Sequence, residues 1–95
     1  MLYTLRYHPE VARNDLPEIP TNLKQRIARS IESRLTESPE RYGTPLRGSL
    51  KGYWKLRVGD YRVVFKIVGS DVWILTILHR KAVYEMVRTR LEWRP

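Results

Sequence analysis

Apolar and polar residues follow two different periods along the chain, and the change between them falls near residue 45. Residues 2–7 alternate Tyr3, Leu5 and Tyr7 with Thr4 and Arg6, the period of a half-buried strand. His8-Pro9 stops it. Pro9 suits the first turn of a short helix running to Asp15 or Leu16, and Pro17 and Pro20 prevent its continuation. A longer helix follows, capped by Thr21 or Asn22. Its Leu23, Ile27, Ile31 and Leu35 recur every four residues with Ala28 beside them, while Lys24, Arg26, Arg29, Glu32 and Arg34 cover the other faces. Ser38-Pro39 ends it, and Tyr42-Gly43-Thr44-Pro45 is a turn-rich connection.

Beyond that connection the period is two. Tyr53–Val58, Tyr61–Val68 and Asp71–Leu78 read as three strands, separated by Gly59-Asp60 and Gly69-Ser70, which suit type II′ hairpin turns. Helical spacing returns in Lys81–Leu91, through Val83, Met86, Val87 and Leu91, and predicts a last helix. The fold class is therefore α+β. A helical hairpin packs on one face of a twisted antiparallel sheet, to which the N-terminal strand also belongs, and a short C-terminal helix closes the chain.

A two-residue turn at Gly59-Asp60 fixes the register outward as Val58 with Tyr61, Arg57 with Arg62, Leu56 with Val63, Lys55 with Val64 and Trp54 with Phe65. One face then carries Trp54, Leu56, Val58, Tyr61, Val63, Phe65 and Ile67, a floor for the helices. The other carries Tyr53, Lys55, Arg57, Arg62 and Lys66, with no carboxylate on those strands to neutralise them. Gly69-Ser70 extends the cationic face with Trp73, Leu75, Ile77 and His79, placing Ile77 beside Arg62 and His79 near Asp60. The apolar members of that row have two readings, packing beneath the last helix or a docking strip for a partner.

Composition sharpens this picture. The chain has 95 residues and a formal charge of +8, room for one domain spanning 1–95 with one modest two-layer core. Any active site must be an open one. Residues 1–40 hold six basic and six acidic side chains, so the whole surplus lies in residues 41–95, twelve basic against four acidic. Thirteen of the eighteen cations are arginine, whose planar fork suits phosphate. The absence of cysteine excludes disulfides, thiolate nucleophiles and cysteine metal sites, and predicts an intracellular, cytoplasmic protein. No segment approaches a membrane span or a secretory signal. His8 and His79 have no evident partner set for a metal, and neither a phosphate-binding glycine loop nor a Ser-His-Asp order is present.

A basic groove with interleaved aromatics points to a polyanion. RNA carries its own nucleophile, the 2′-hydroxyl, so cutting it needs a base, an acid and cations that stabilise the phosphorane, but no metal or other cofactor and no protein nucleophile. Lys55 is the candidate base or proton shuttle, because Arg57 and Arg62 on the same face disfavour its charged form. Arg62 and Arg57 would clamp the phosphate, Arg80 would meet the leaving group, and Tyr84 would stack on or orient a nucleotide. His79 is either the acid or a hydrogen-bonded structural residue. Arg47, Lys51 and Lys66 extend the phosphate-binding surface.

The run Pro45-Leu46-Arg47-Gly48-Ser49-Leu50-Lys51-Gly52-Tyr53-Trp54-Lys55-Leu56-Arg57-Val58-Gly59-Asp60-Tyr61-Arg62-Val63-Val64-Phe65 resembles the RelE/ParE superfamily of toxins from type II toxin–antitoxin modules, closest to the RelE branch. Tyr7-His8-Pro9 and His79-Arg80 with Val83-Tyr84 extend the likeness over almost the whole chain. The resemblance implies a microbial-RNase-like fold and a metal-independent, ribosome-dependent endoribonuclease that cuts mRNA in the ribosomal A site. Its partners would be the ribosome, mRNA and a cognate antitoxin, with operator DNA met only through the antitoxin complex. The family's strand lysine falls on Lys55, its phosphate-stabilising arginine on Arg62, its later arginine on Arg80 and its C-terminal tyrosine on Tyr84. Some members carry a second lysine where this chain has Tyr53, which Lys51 only partly replaces. Others use a glutamate base that has no counterpart here, so the base and the acid stay open. The same fold also serves ParE-like proteins that poison DNA gyrase without cutting anything, and a degenerate toxin kept to bind its antitoxin is a third reading.

Overall fold

The computed structural model describes residues 2–81 and Arg90. Its framework is a five-stranded sheet in the order β1-β5-β4-β3-β2, made of β1 (Thr4–Tyr7), β2 (Thr44–Pro45), β3 (Trp54–Val58), β4 (Tyr61–Val68) and β5 (Asp71–His79). The β3–β4–β5 meander is antiparallel, as its tight turns require. Gly59 and Gly69 have φ of 59° and 60°, and neither Asp60 nor Ser70 has positive φ, the signature of II′ turns. β1 differs from the expected all-antiparallel sheet. It lies parallel to β5, with Leu5 opposite Val72 and Tyr7 opposite Ile74, so the sheet is mixed. The connection that Tyr42-Gly43-Thr44-Pro45 was expected to make as a turn also contributes β2, an edge strand of two residues where proline is tolerated.

The helices sit over one face of this sheet. After β1 the chain winds through a π-helical stretch, Val11–Asp15, and a 3₁₀ turn, Leu16–Glu18, which the prolines end as expected. Helix α1 (Thr21–Ser30) continues as a π-helical stretch, Ile31–Leu35, and α2 (Pro39–Tyr42) follows. The four-residue spacing explains the wide turns. Each four-residue step overshoots an α-helical turn by about 40°, and a wider winding brings Ile31 and Leu35 back over the sheet. Ile27, Ile31 and Leu35 are buried against Val11, Ile19, Leu56, Val58, Val63, Phe65, Val72, Ile74 and Ile77. Gly43, just after α2, lets the chain pass over Phe65.

The β3–β4 register is the expected one at every pair, with Arg57 opposite Arg62. The β4–β5 register is not. Pairing runs regularly from Val68 with Asp71 to Phe65 with Ile74, and then a bulge intervenes. Leu75 is skipped, and Thr76 pairs with Val64, Ile77 with Val63, Leu78 with Arg62 and His79 with Tyr61. One extra residue exchanges the faces of everything after it. Ile77 accordingly belongs to the core beneath the helices, and His79 meets Tyr61 edge-on there, ring centroids 5.5 Å apart. Leu78 takes the place beside Arg62 that was expected for Ile77.

A second, smaller core lies on the opposite face. Leu50, within the 3₁₀ turn Gly48–Leu50, is buried with Val64 and Leu78, and Leu46 packs against them. The segment of the expected last helix lies outside the described residues, except Lys81, in a turn, and Arg90, which is helical.

Candidate active site

The sheet face away from the helices collects most of the cationic residues singled out from the sequence. Lys55, Arg57, Arg62 and Lys66 share it by register and alternation. The loop that packs Leu46 and Leu50 onto the same face brings Arg47 and Lys51 with it, both exposed. None of these six has a carboxylate within salt-bridge distance among the described residues, where the ion pairs are Arg6–Asp71, Arg13–Glu10, Arg80–Asp60 and Arg90–Asp15. A row of like charges without counter-ions raises the local potential for an anion.

Arg62 is held in place by its own turn. Its Nη1 donates to the carbonyls of Gly59 at 3.0 Å and Tyr61 at 2.9 Å. Both hydrogens of that nitrogen are thereby occupied, which fixes the guanidinium plane and leaves Nε and Nη2 to address a ligand. Lys66 places its Nζ 5.4 Å from the centre of the Tyr53 ring, a cation–π contact at the border of the cationic row.

Arg80 follows β5 directly. Its N–H continues the ladder to the Asp60 carbonyl at 2.8 Å, and its exposed Nε stands 3.7 Å from Asp60 Oδ1. Because His79 points into the helix side, alternation turns Arg80 to the Arg62 side. His79 is the correction. It does not join the cationic row, since the bulge at Leu75 carries its ring to the other face, where it lines a cleft of about 300 Å³ with Leu23, Arg26 and Tyr61. Its Nδ1 accepts a hydrogen bond from the Lys81 N–H at 3.2 Å. Tyr84 lies outside the described residues.

Two charged residues that the sequence reading passed over, Asp15 and Arg90, form a buried pair at the edge of β5. Nothing in their local sequence marks them, because they stand 75 positions apart and only the fold closes that distance. Nearby, His8 is 5% exposed, and its Nδ1 accepts the Glu10 N–H at 3.0 Å. Burial, and then the Arg90 charge, push its imidazole below the ordinary histidine pKa. No group of three or more metal-ligating side chains occurs among the described residues, and no helix there is long and apolar enough to cross a membrane.

Comparison with known proteins gives consistent likenesses. A family model described as ParE toxin of type II toxin–antitoxin system, parDE, matches residues 5–84. Toxin RelG of Mycobacterium tuberculosis is 34% identical over 86 residues, covering 88% of this chain and 98% of that protein. Toxin RelE of the same organism is 35% identical over 85 residues, covering 84% and 88%. Among solved structures, a chain of the M. tuberculosis RelBE2 toxin–antitoxin complex superimposes with a TM-score of 0.77 at 33% identity, over 84% of this chain and 100% of that one. A double arginine-to-alanine mutant of E. coli toxin RelE in the free state superimposes with a TM-score of 0.74 over 97% of each chain, and at 17% identity this is agreement of fold.

Proposed function

The chain belongs to the ParE toxin family, in the RelE/ParE superfamily of type II toxin–antitoxin toxins, and from that premise we propose that it is a ribosome-dependent endoribonuclease that cuts mRNA and is neutralised by a cognate antitoxin. One observation carries the reading. Arg62 is pinned by two backbone carbonyls with two donor nitrogens left over, in a row with Lys55 and Arg57 that has no carboxylate among the described residues. An acidic partner would also be drawn to such a row, and a preset guanidinium amid unneutralised charge further suits the charge that builds on a phosphate in transition.

The 2′-hydroxyl oxygen of the mRNA attacks the adjacent phosphorus as Lys55 accepts its proton, and the P–O5′ bond breaks as O5′ takes up a proton from solvent water. The products are a 2′,3′-cyclic phosphate and a 5′-hydroxyl. Arg62 and Arg57 meet the charge on the non-bridging oxygens, and Arg80 stands toward the departing O5′. Arg47, Lys51 and Lys66 hold the flanking backbone. Tyr84 has its role in orienting a nucleotide from the family likeness alone. An acidic antitoxin segment over the cationic row would silence the site, and toxin–antitoxin complexes among the structural relatives support such a partner.

Because the matching family model is named for ParE, inhibition of DNA gyrase is the rival to be tested alongside. Primer extension on mRNA, translated and untranslated, is run beside a gyrase supercoiling assay. Cuts that appear only with ribosomes are the expected outcome. Intact mRNA with inhibited supercoiling would replace this reading with the rival.

A further inference from the structure

β1 stops at Tyr7, opposite Ile74, while β5 runs on to His79. Beyond Ile74 the outer edge of β5 has no strand beside it among the described residues, and an uncovered edge leaves ladder groups without partners. Side chains close it instead. Asp15 Oδ2 accepts hydrogen bonds from the Thr76 hydroxyl and the Ile77 N–H, each at 3.0 Å. Arg90 Nη1 donates to the Leu75 carbonyl at 2.9 Å. The two side chains join through Nη1 to Oδ2 at 2.9 Å and Nη2 to Oδ1 at 3.1 Å, with Asp15 4% and Arg90 10% exposed.

The three residues gripped in this way are Leu75, at the bulge, and Thr76 and Ile77, the first two beyond it. Leu75 is the extra one, and pairing resumes at Thr76 and Ile77. With the bulge, Leu78 faces Arg62 and Arg80 leaves on the Arg62 side. A regular strand would set Ile77 beside Arg62 and turn Arg80 toward the helices.

We propose that Asp15 and Arg90 are positioning residues, which hold the bulge of β5 and so set Arg80 on the same face as Arg62; the inference rests on the reading of that face as the ribonuclease site. Neither side chain needs to touch RNA. A buried ion pair adds little stability over an apolar pair of equal volume, but its directional bonds single out one arrangement. Here three bonds reach three successive residues of one strand, and two more lock the side chains that make them to each other.

The test uses the full chain carrying Asp15→Ala, Arg90→Met or Asp15→Asn. Backbone NOEs across β4 and β5 read whether Arg62 lies opposite Leu78 or Ile77. Single-turnover cleavage on programmed ribosomes reads the bound rate and the half-saturating ribosome concentration separately. Asp15→Ala and Arg90→Met are expected to cut about a hundredfold slower at unaltered half-saturation, as a displaced catalytic group does, and to lose or share the Arg62–Leu78 pairing. Asp15→Asn keeps one acceptor oxygen for Thr76 and Ile77 but loses the charge and the second acceptor facing Arg90, and falls between. If the alanine variant fails to fold, Asp15→Asn and Arg90→Lys carry the measurement. A folded variant with unaltered register and rate overturns the proposal, and so does a slow variant whose register is intact. Should the unaltered chain cut no mRNA on ribosomes, the ribonuclease reading falls, while the NOEs still decide whether the pair holds the bulge.

Discussion

Replacing Arg62 separates a catalytic role from a structural one, because its two effects differ in size. Arg62→Ala removes the bonds to the Gly59 and Tyr61 carbonyls, worth about 1 kcal/mol each at a half-buried position. It also relieves repulsion with Arg57 directly across the hairpin, which returns roughly 0.2–1 kcal/mol. The net cost is about 1 kcal/mol, a fall in Tm of roughly 4–8 °C for a chain of this size. Against a typical stability of about 5–15 kcal/mol, that loss leaves the folded fraction essentially complete. Cleavage should suffer far more. Losing the donors aimed at a developing phosphorane costs about a hundredfold or more in the bound rate, which partial unfolding cannot supply. Thermal melts and single-turnover cleavage on programmed ribosomes measure the two effects, and Arg57→Ala is the control. Arg57 makes no protein hydrogen bond among the described residues, so its removal should leave Tm level or higher and, because its guanidinium is not preset, slow the bound rate less than the loss of Arg62 does. A folded Arg62→Ala protein that cuts at the unaltered rate would refute the assignment of Arg62, as would an Arg57→Ala protein with the larger kinetic defect.

A Cβ at Gly43 would lie 2.6 Å from Phe65 Cζ and 2.9 Å from the Pro39 carbonyl oxygen; Gly43→Ala is expected to cost about 1–3 kcal/mol in a urea melt, with no change in m-value. His8 makes stability fall in acid. Its folded pKa is lowered by burial and by Arg90, with Glu10 and Asp15 opposing, so the unfolded chain binds the proton more readily and stability is lost as pH drops below the ordinary histidine value of about 6.5. Melts at pH 7.5 and 5.5 should show this loss, and His8→Asn, which keeps an acceptor for the Glu10 N–H, should reduce it. Cleavage should persist when divalent metals other than the Mg²⁺ needed by ribosomes are chelated, because in the proposed mechanism the nucleophile is the RNA's own and the neutralising charge comes from Arg57 and Arg62. Abolished cutting under those conditions would show that a metal takes part.

The β3–β4 hairpin was legible in the sequence because two independent signals agree on it. Gly59-Asp60 demands a two-residue turn, and Leu56, Arg57 and Val58 alternate cleanly on one side of it, so only one register satisfies both. The helices were legible from their prolines and the four-residue apolar spacing, although the wide winding that this spacing forces was not. β5 offers no such agreement. Val72 to Leu78 is apolar at every position but one, which suits burial on both faces and leaves alternation silent about which residue points where. The second core was hidden for a related reason, since Leu46 and Leu50 belong to a loop and have no period to betray them. What breaks the degeneracy of β5 is tertiary. Asp15, more than sixty positions upstream, and Arg90, beyond the strand's end, grip Leu75, Thr76 and Ile77 and so decide where the extra residue sits. Spacing alone counts through that point without interruption, and arrives at a cationic face ending in Ile77 and His79. Inserting one residue exchanges the two sides, sends His79 to Tyr61 beneath the helices and brings Arg80 round to Arg62. The membership of the candidate site beyond Leu75 is thus decided by a buried ion pair lying outside it, whereas Lys55, Arg57 and Arg62 owe their shared face to the hairpin alone.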